Sequence, residues 1–109
     1  MALYMLQVGY TPEAWAAMVK KPQDRIEAVS PAVRKLGGRI IDGYFAFGDY
    51  DLVAIVNMPD NVTAAAFSIS VAAGGAVRAI KTTPLMSRAE GVRAMRAAKK
   101  STYRPATES

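Results

Sequence analysis

The chain contains no cysteine and no histidine. The first absence removes disulfides, thiolate nucleophiles and thiolate metal sites. The second removes the commonest general base, the commonest metal ligand and the usual haem ligand together. No apolar run approaches the ~18 residues of a membrane-spanning helix, so no membrane partner is expected. The opening stretch Met1-Ala2-Leu3-Tyr4-Met5-Leu6-Gln7-Val8-Gly9-Tyr10 has neither a basic leader nor a small-residue cleavage site. It reads as a first strand, and a cytoplasmic location is the expectation. Asn61-Val62-Thr63 matches a glycosylation sequon, which without a secretion signal reads as chance. Ser-His-Asp, Cys-His, metal-ligand and phosphate-loop constellations are all missing, so no metal and no cofactor are expected.

Acidic residues are scarce in the second half. Residues 1–59 hold six acids (Glu13, Asp24, Glu27, Asp42, Asp49, Asp51) and six bases (Lys20, Lys21, Arg25, Arg34, Lys35, Arg39), which cancel. From residue 60 onward three acids face eight bases, and this half carries the whole net charge of +5. Most of those bases lie between Arg88 and Arg104. Tyr103 is the sole aromatic interleaved with them, so a solvated helix face and tail is favoured over a nucleic-acid patch.

What is present is a chain of 109 residues, 51% hydrophobic and 21% charged, enough for one domain with a real core. The richest stretch is 43–59, where two apolar runs flank Gly48-Asp49-Tyr50-Asp51. It predicts a hairpin of strands 39–47 and 50–58 joined tightly at Gly48-Asp49. Upstream, residues 3–10 read as a strand and Thr11-Pro12-Glu13 as a cap, a first-turn proline and a first-turn acid. Pro22 interrupts that helix. A second helical stretch covers 24–36, with Ile26, Val29, Val33 and Leu36 at helical steps. Ser30-Pro31 within it predicts a kink or a restart capped by Ser30, and Gly37-Gly38 a stop.

Downstream, Asp60 predicts the cap of an alanine-rich helix whose charge-poor centre points to thorough burial, ending at Gly74-Gly75. Residues 76–83 form a fourth strand. Ser87-Arg88-Ala89-Glu90 is a capping box opening a short basic helix. The order implies an α+β chain: a ferredoxin-like βαββαβ unit with a C-terminal helix, domain 1–100, and a disordered tail over 101–109.

Two helices cover one sheet face only. In the third strand Val53 and Ile55 oppose Leu52, Ala54, Val56 and Met58. In the second, Ile41, Phe45 and Phe47 are expected to oppose Ile40, Tyr44 and Ala46. With apolar residues on both faces, a second copy of the chain is the expected partner, in an association of the dimeric α/β-barrel type. The alternative is the final helix folding over the open face.

Gly43-Tyr44, Phe47-Gly48-Asp49-Tyr50-Asp51-Leu52-Val53, Val56 and Pro59-Asp60 together resemble the signature of the GYD domain family. The likeness extends to Tyr10-Thr11-Pro12-Glu13, Asp24-Arg25, Leu36-Gly37-Gly38, Gly75-Ala76-Val77-Arg78 and Thr82-Thr83, over about residues 3–95. Ser30-Pro31 falls where that family usually has unbroken helix, and Asn57 where an acid is common. The family comprises small bacterial and archaeal proteins of largely undefined function. The resemblance therefore implies a ferredoxin-like, oligomeric fold and little chemistry. More distantly, the hairpin and Gly75-Ala76-Val77 resemble the effector-binding domain of Lrp/AsnC regulators, which implies small-ligand binding at subunit interfaces.

For a ligand pocket the candidates are Tyr44, Asp49, Tyr50, Asp51 and Lys81. The plainer account makes Asp49 a turn-former and Asp51 an acceptor of backbone hydrogen bonds, against a role for Asp51 at a pocket rim. Tyr4, Tyr10, Tyr44 and Tyr50 are each able to line a cavity, although buried tyrosines more often serve a core. Lys81 is either an amine in an apolar pocket or a charge protecting an edge strand. The function expected is a homo-oligomeric small-molecule-binding or accessory module, with no catalysis required. The alternatives are a cofactor-free dimeric α/β-barrel enzyme of monooxygenase or isomerase type, and a purely structural assembly protein.

Overall fold

Alternation along the first strand sets the layer structure. In the computed structural model, which describes residues 1–107, β1 (Ala2–Tyr10) buries Tyr4, Leu6, Val8 and Tyr10 on one face. Thr11 accepts a hydrogen bond from the Ala14 N–H and starts α1 (Pro12–Lys20). Asp24 accepts from the Ile26 and Glu27 N–H groups and starts α2 (Arg25–Lys35). β2 (Arg39–Phe45) and β3 (Leu52–Met58) follow, then α3 (Asn61–Ala73), β4 (Val77–Leu85) and α4 (Arg88–Lys99). The four strands form one antiparallel sheet in the order β2-β3-β1-β4, so the chain is α+β with a ferredoxin-like fold.

The core lies between one sheet face and α2 and α3. Tyr4, Leu6, Ala54, Val56 and Met58 from the sheet meet Val33 of α2 and Ala64 and Phe67 of α3. Burying large side chains of this kind stabilises by roughly 1.5–3 kcal/mol each. Ile26 of α2 packs directly on Gly43 of β2, where a Cβ would sit 2.5 Å from the Ile26 Cδ1. Pro84 is tolerated within β4 because that strand is an edge and owes no ladder bond on its outer side.

Four expectations need correction. The helix does not restart at Ser30-Pro31: α2 is continuous, and the Ser30 hydroxyl donates to the Ile26 carbonyl instead of capping a new helix. Pro31 removes only one N–H, and it and Glu27, whose carbonyl loses that partner, are both exposed, so water can satisfy the loss. The hairpin is not tight either. β2 ends at Phe45, Ala46 donates to the Asp51 carbonyl as a last rung, and residues 47–50 form a wider loop with Phe47 fully exposed. The reason is that Asp51 is drawn to β1: its N–H bonds the Val8 carbonyl and its carboxylate the Tyr10 N–H.

The third correction concerns β2. Its register shifts between Ile40 and Asp42, with Ile41 the extra residue. Directly opposed residues share a face. Ile40, Gly43 and Phe45 therefore lie with Val56, Ala54 and Leu52 on the helix side, and Asp42 and Tyr44 with Ile55 and Val53 on the open side. The expected grouping of Ile41 with Phe45, and of Ile40 with Tyr44, is broken by this bulge. The fourth is α3, which is not thoroughly buried. Ala64 and Phe67 are inside, while Val62 and Ile69 face solvent, because a helix on a single sheet hides only one stripe.

Among the described residues, no element folds over the open sheet face. α4 has no buried residue, and Val92 and Met95 are exposed. The Cα radius of gyration is 17.5 Å with extents of 58 × 32 × 22 Å. A compact domain of this length would have a radius of about 13 Å. α4 thus does not fold back over the sheet. Residues 101–107 are exposed and carry no helix or strand, and residues 108–109, included in the expected disordered tail, lie outside the described residues. Among the described residues no helix is long and apolar enough to cross a membrane.

Candidate functional site

The end of the sheet where β1 stops and β3 and β4 start gathers most of the polar chemistry. Asp51, at the entry to β3, is the centre of it. Its Oδ2 accepts the Tyr10 N–H at 2.8 Å and the Trp15 indole N–H at 3.3 Å, and lies 3.7 Å from the Arg78 Nη2. Arg78 also donates to the Asp49 carbonyl at 2.8 Å. Its guanidinium passes over Gly9, so a Cβ at residue 9 would sit 2.6 Å from the Arg78 Cζ. Tyr10 meets Trp15 edge to face at 5.6 Å. This cluster ties the start of β3 to β1, α1 and β4.

Beside it opens an apolar cavity of about 290 Å³ between the sheet and the helix layer. Leu6, Val8, Leu52, Ala54 and Val56 form its floor, Ile26 and Val29 of α2 one wall, and Phe67 and Val71 of α3 the other. The exposed residues Ser70, Gly74 and Ala76 mark its rim, with half-buried Arg25. A smaller space of about 200 Å³ adjoins it, and Tyr10, Arg25 and Ala76 line both. Tyr10 is only 6% exposed. Burial pushes its phenol above the ordinary value, and the Arg25 guanidinium beside it pulls partly the other way. Among the described residues no cluster of acidic side chains is arranged to hold a metal ion.

The five sequence candidates are spread over the molecule. Tyr44 is exposed on the open sheet face, where its hydroxyl donates to Asp42 at 2.7 Å, and this bond raises its pKa. Lys81 is exposed on that face of the edge strand β4, opposite Gln7. Asp49 sits in the exposed loop, Tyr50 is half-buried there, and Asp51 is taken up as described. Only Asp49 and Asp51 meet, through Arg78, and none of the five lines the main cavity.

Tyr10 was legible as one of four tyrosines able to line a cavity, and it does. Arg25 was not singled out. Its signal is a cation in the first turn of a helix, where the positive end of the macrodipole disfavours one. A family model described as GYD domain matches residues 4–95. No curated protein and no solved structure matches the chain.

Proposed function

Since the chain belongs to the GYD domain family, we propose that it is a small-molecule-binding or accessory module that works as a homo-oligomer. The observation carrying the first half is the cavity between sheet and helices. Its floor and walls are apolar, it opens at a defined rim, and about 290 Å³ stands near the lower end of the ~300–1,000 Å³ usual for small-molecule pockets. The space matches a compact ligand rather than a dinucleotide or a haem.

Self-association is supported by the open face and α4. Leu3, Met5, Val53, Ile55 and Leu85 put an apolar patch on the open face of strands β1, β3 and β4, flanked along the two central strands by Gln7 and Asn57. Asp42 and Tyr44 at one edge and Lys81 and Thr83 at the other give it a polar border, the usual anatomy of an interface. A helix as short as α4 is marginal alone in water, so its exposed Val92 and Met95 call for a partner surface. In a sheet-to-sheet pair Tyr44 and Lys81 would lie at the margin of the contact, where any space between subunits would involve them.

Native mass spectrometry of gently isolated protein tests both halves together. A dimer or larger species carrying a small-molecule adduct is the expected spectrum. A bare monomer at micromolar concentration, with no uptake of an apolar fluorescent dye, refutes the reading.

A further inference from the structure

Resting on the ligand-binding reading above, we propose that the cavity takes an apolar monocarboxylate. Its acyl or aryl body lies along Val8, Val29 and Phe67, and its carboxylate is held at the rim by the Arg25 guanidinium and the Tyr10 hydroxyl. Arg25 carries the argument. It is half-buried at the point where the two cavities meet, and it stands at a position its own helix disfavours. Within the chain the guanidinium faces neutral oxygens: it donates to the Gln23 Oε1 at 2.8 Å and stands against the Tyr10 hydroxyl.

Arg78 forms an ion pair with Asp51, and among the described residues no carboxylate pairs with Arg25. The two nearby acids are committed elsewhere. Asp24 caps α2 through the Ile26 and Glu27 N–H groups, and Asp51 holds Tyr10, Trp15 and Arg78. A guanidinium fork at the edge of an apolar space with no acid lining it is complementary to a carboxylate. The neighbouring phenol adds one more donor and no competing charge while it stays protonated, which its burial favours.

Trp15, the single tryptophan, packs on Tyr10 and reports on this corner by fluorescence. The test titrates octanoate, octanol and octylammonium into the wild-type protein, Arg25→Gln and the cavity-filling Ala54→Leu, each first shown to melt cooperatively. Octanoate is expected to bind best, Arg25→Gln to weaken it about tenfold or more while leaving octanol unchanged, and Ala54→Leu to weaken both. Equal binding of octanoate and octanol, or indifference of octanoate to Arg25→Gln, overturns the carboxylate assignment and leaves the cavity reading standing. If none of the three probes binds, or if Ala54→Leu changes nothing, the cavity reading falls and the assignment with it.

Discussion

Replacing Asp51 by alanine isolates what holds the start of β3 to β1. The carboxylate is 13% exposed and accepts the N–H of buried Tyr10 at 2.8 Å. Removing a charged acceptor from such a donor leaves a buried N–H unpaired and costs about 1.5–3 kcal/mol. The indole contact at 3.3 Å adds little. The Arg78 pair is 3.7 Å long with Arg78 46% exposed, so screening by water limits it to about 0–1 kcal/mol. The sum is about 2–4 kcal/mol.

At ~4–8 °C per kcal/mol for a small domain, Tm falls by roughly 8–32 °C. Urea unfolding at one fixed protein concentration, followed by Trp15 fluorescence and far-ultraviolet circular dichroism, measures it, with a lower midpoint and an unchanged slope. Asp51→Asn keeps an oxygen for the Tyr10 N–H and loses less. Arg78→Met loses under about 1 kcal/mol. Wild-type stability for Asp51→Ala refutes the reasoning, and an equal loss for Arg78→Met moves the hold from the backbone bond to the ion pair.

Three further outcomes are expected. Gly38→Ala places a Cβ 2.3 Å from the Met58 Sδ and 2.6 Å from the Asn57 carbonyl oxygen, and the backbone oxygen cannot give way, so denaturant unfolding should show a loss of about 1–3 kcal/mol. Tyr10 ionises above its ordinary value because burial disfavours the phenolate, and Tyr44 does so because its hydroxyl donates to Asp42. The protonated forms therefore favour the fold below about pH 10, and that contribution is lost as pH rises through the raised values, which ultraviolet difference titration of the wild type, Tyr10→Phe and Tyr44→Phe resolves. The Thr63 N–H holds the Asp60 carboxyl below the ordinary carboxylate range, so its support of α3 is complete above that range and fades as pH falls through the lowered value. An NMR titration should place the Asp60 midpoint low, and Thr63→Pro, which removes that N–H, should raise it.

How much was legible follows from the range of each interaction. Thr11, Asp60 and Ser87 read as helix starts because each cap closes on a backbone N–H three residues away. The face assignment of β3 also held, since alternation in an unbulged strand depends on nothing beyond its own period. The β2 faces did not, because the extra residue at Ile41 exists only against its partner strand. Ser30-Pro31 misled because the tolerance of a helix for one missing N–H depends on which side of α2 meets solvent. The candidate site was hardest to read. Arg25 and Tyr10 are fifteen positions apart, and only the packing of α2 over β2 brings them to one rim.

By itself, the chain of apolar periods, caps and glycine stops determined the order of strands and helices and the α+β class, while the motifs between Gly43 and Asp60 carried the likeness to the family. These are local properties, carried by residues within a turn or a strand of one another. Asp51 also read as an acceptor of backbone hydrogen bonds, but tertiary structure alone decided that the donor would be the Tyr10 N–H, lacing β3 to β1, that a cavity would open beside Arg25, and that α4 would stand clear of the sheet. Each of those depends on the distance between elements far apart in sequence, which no local pattern encodes.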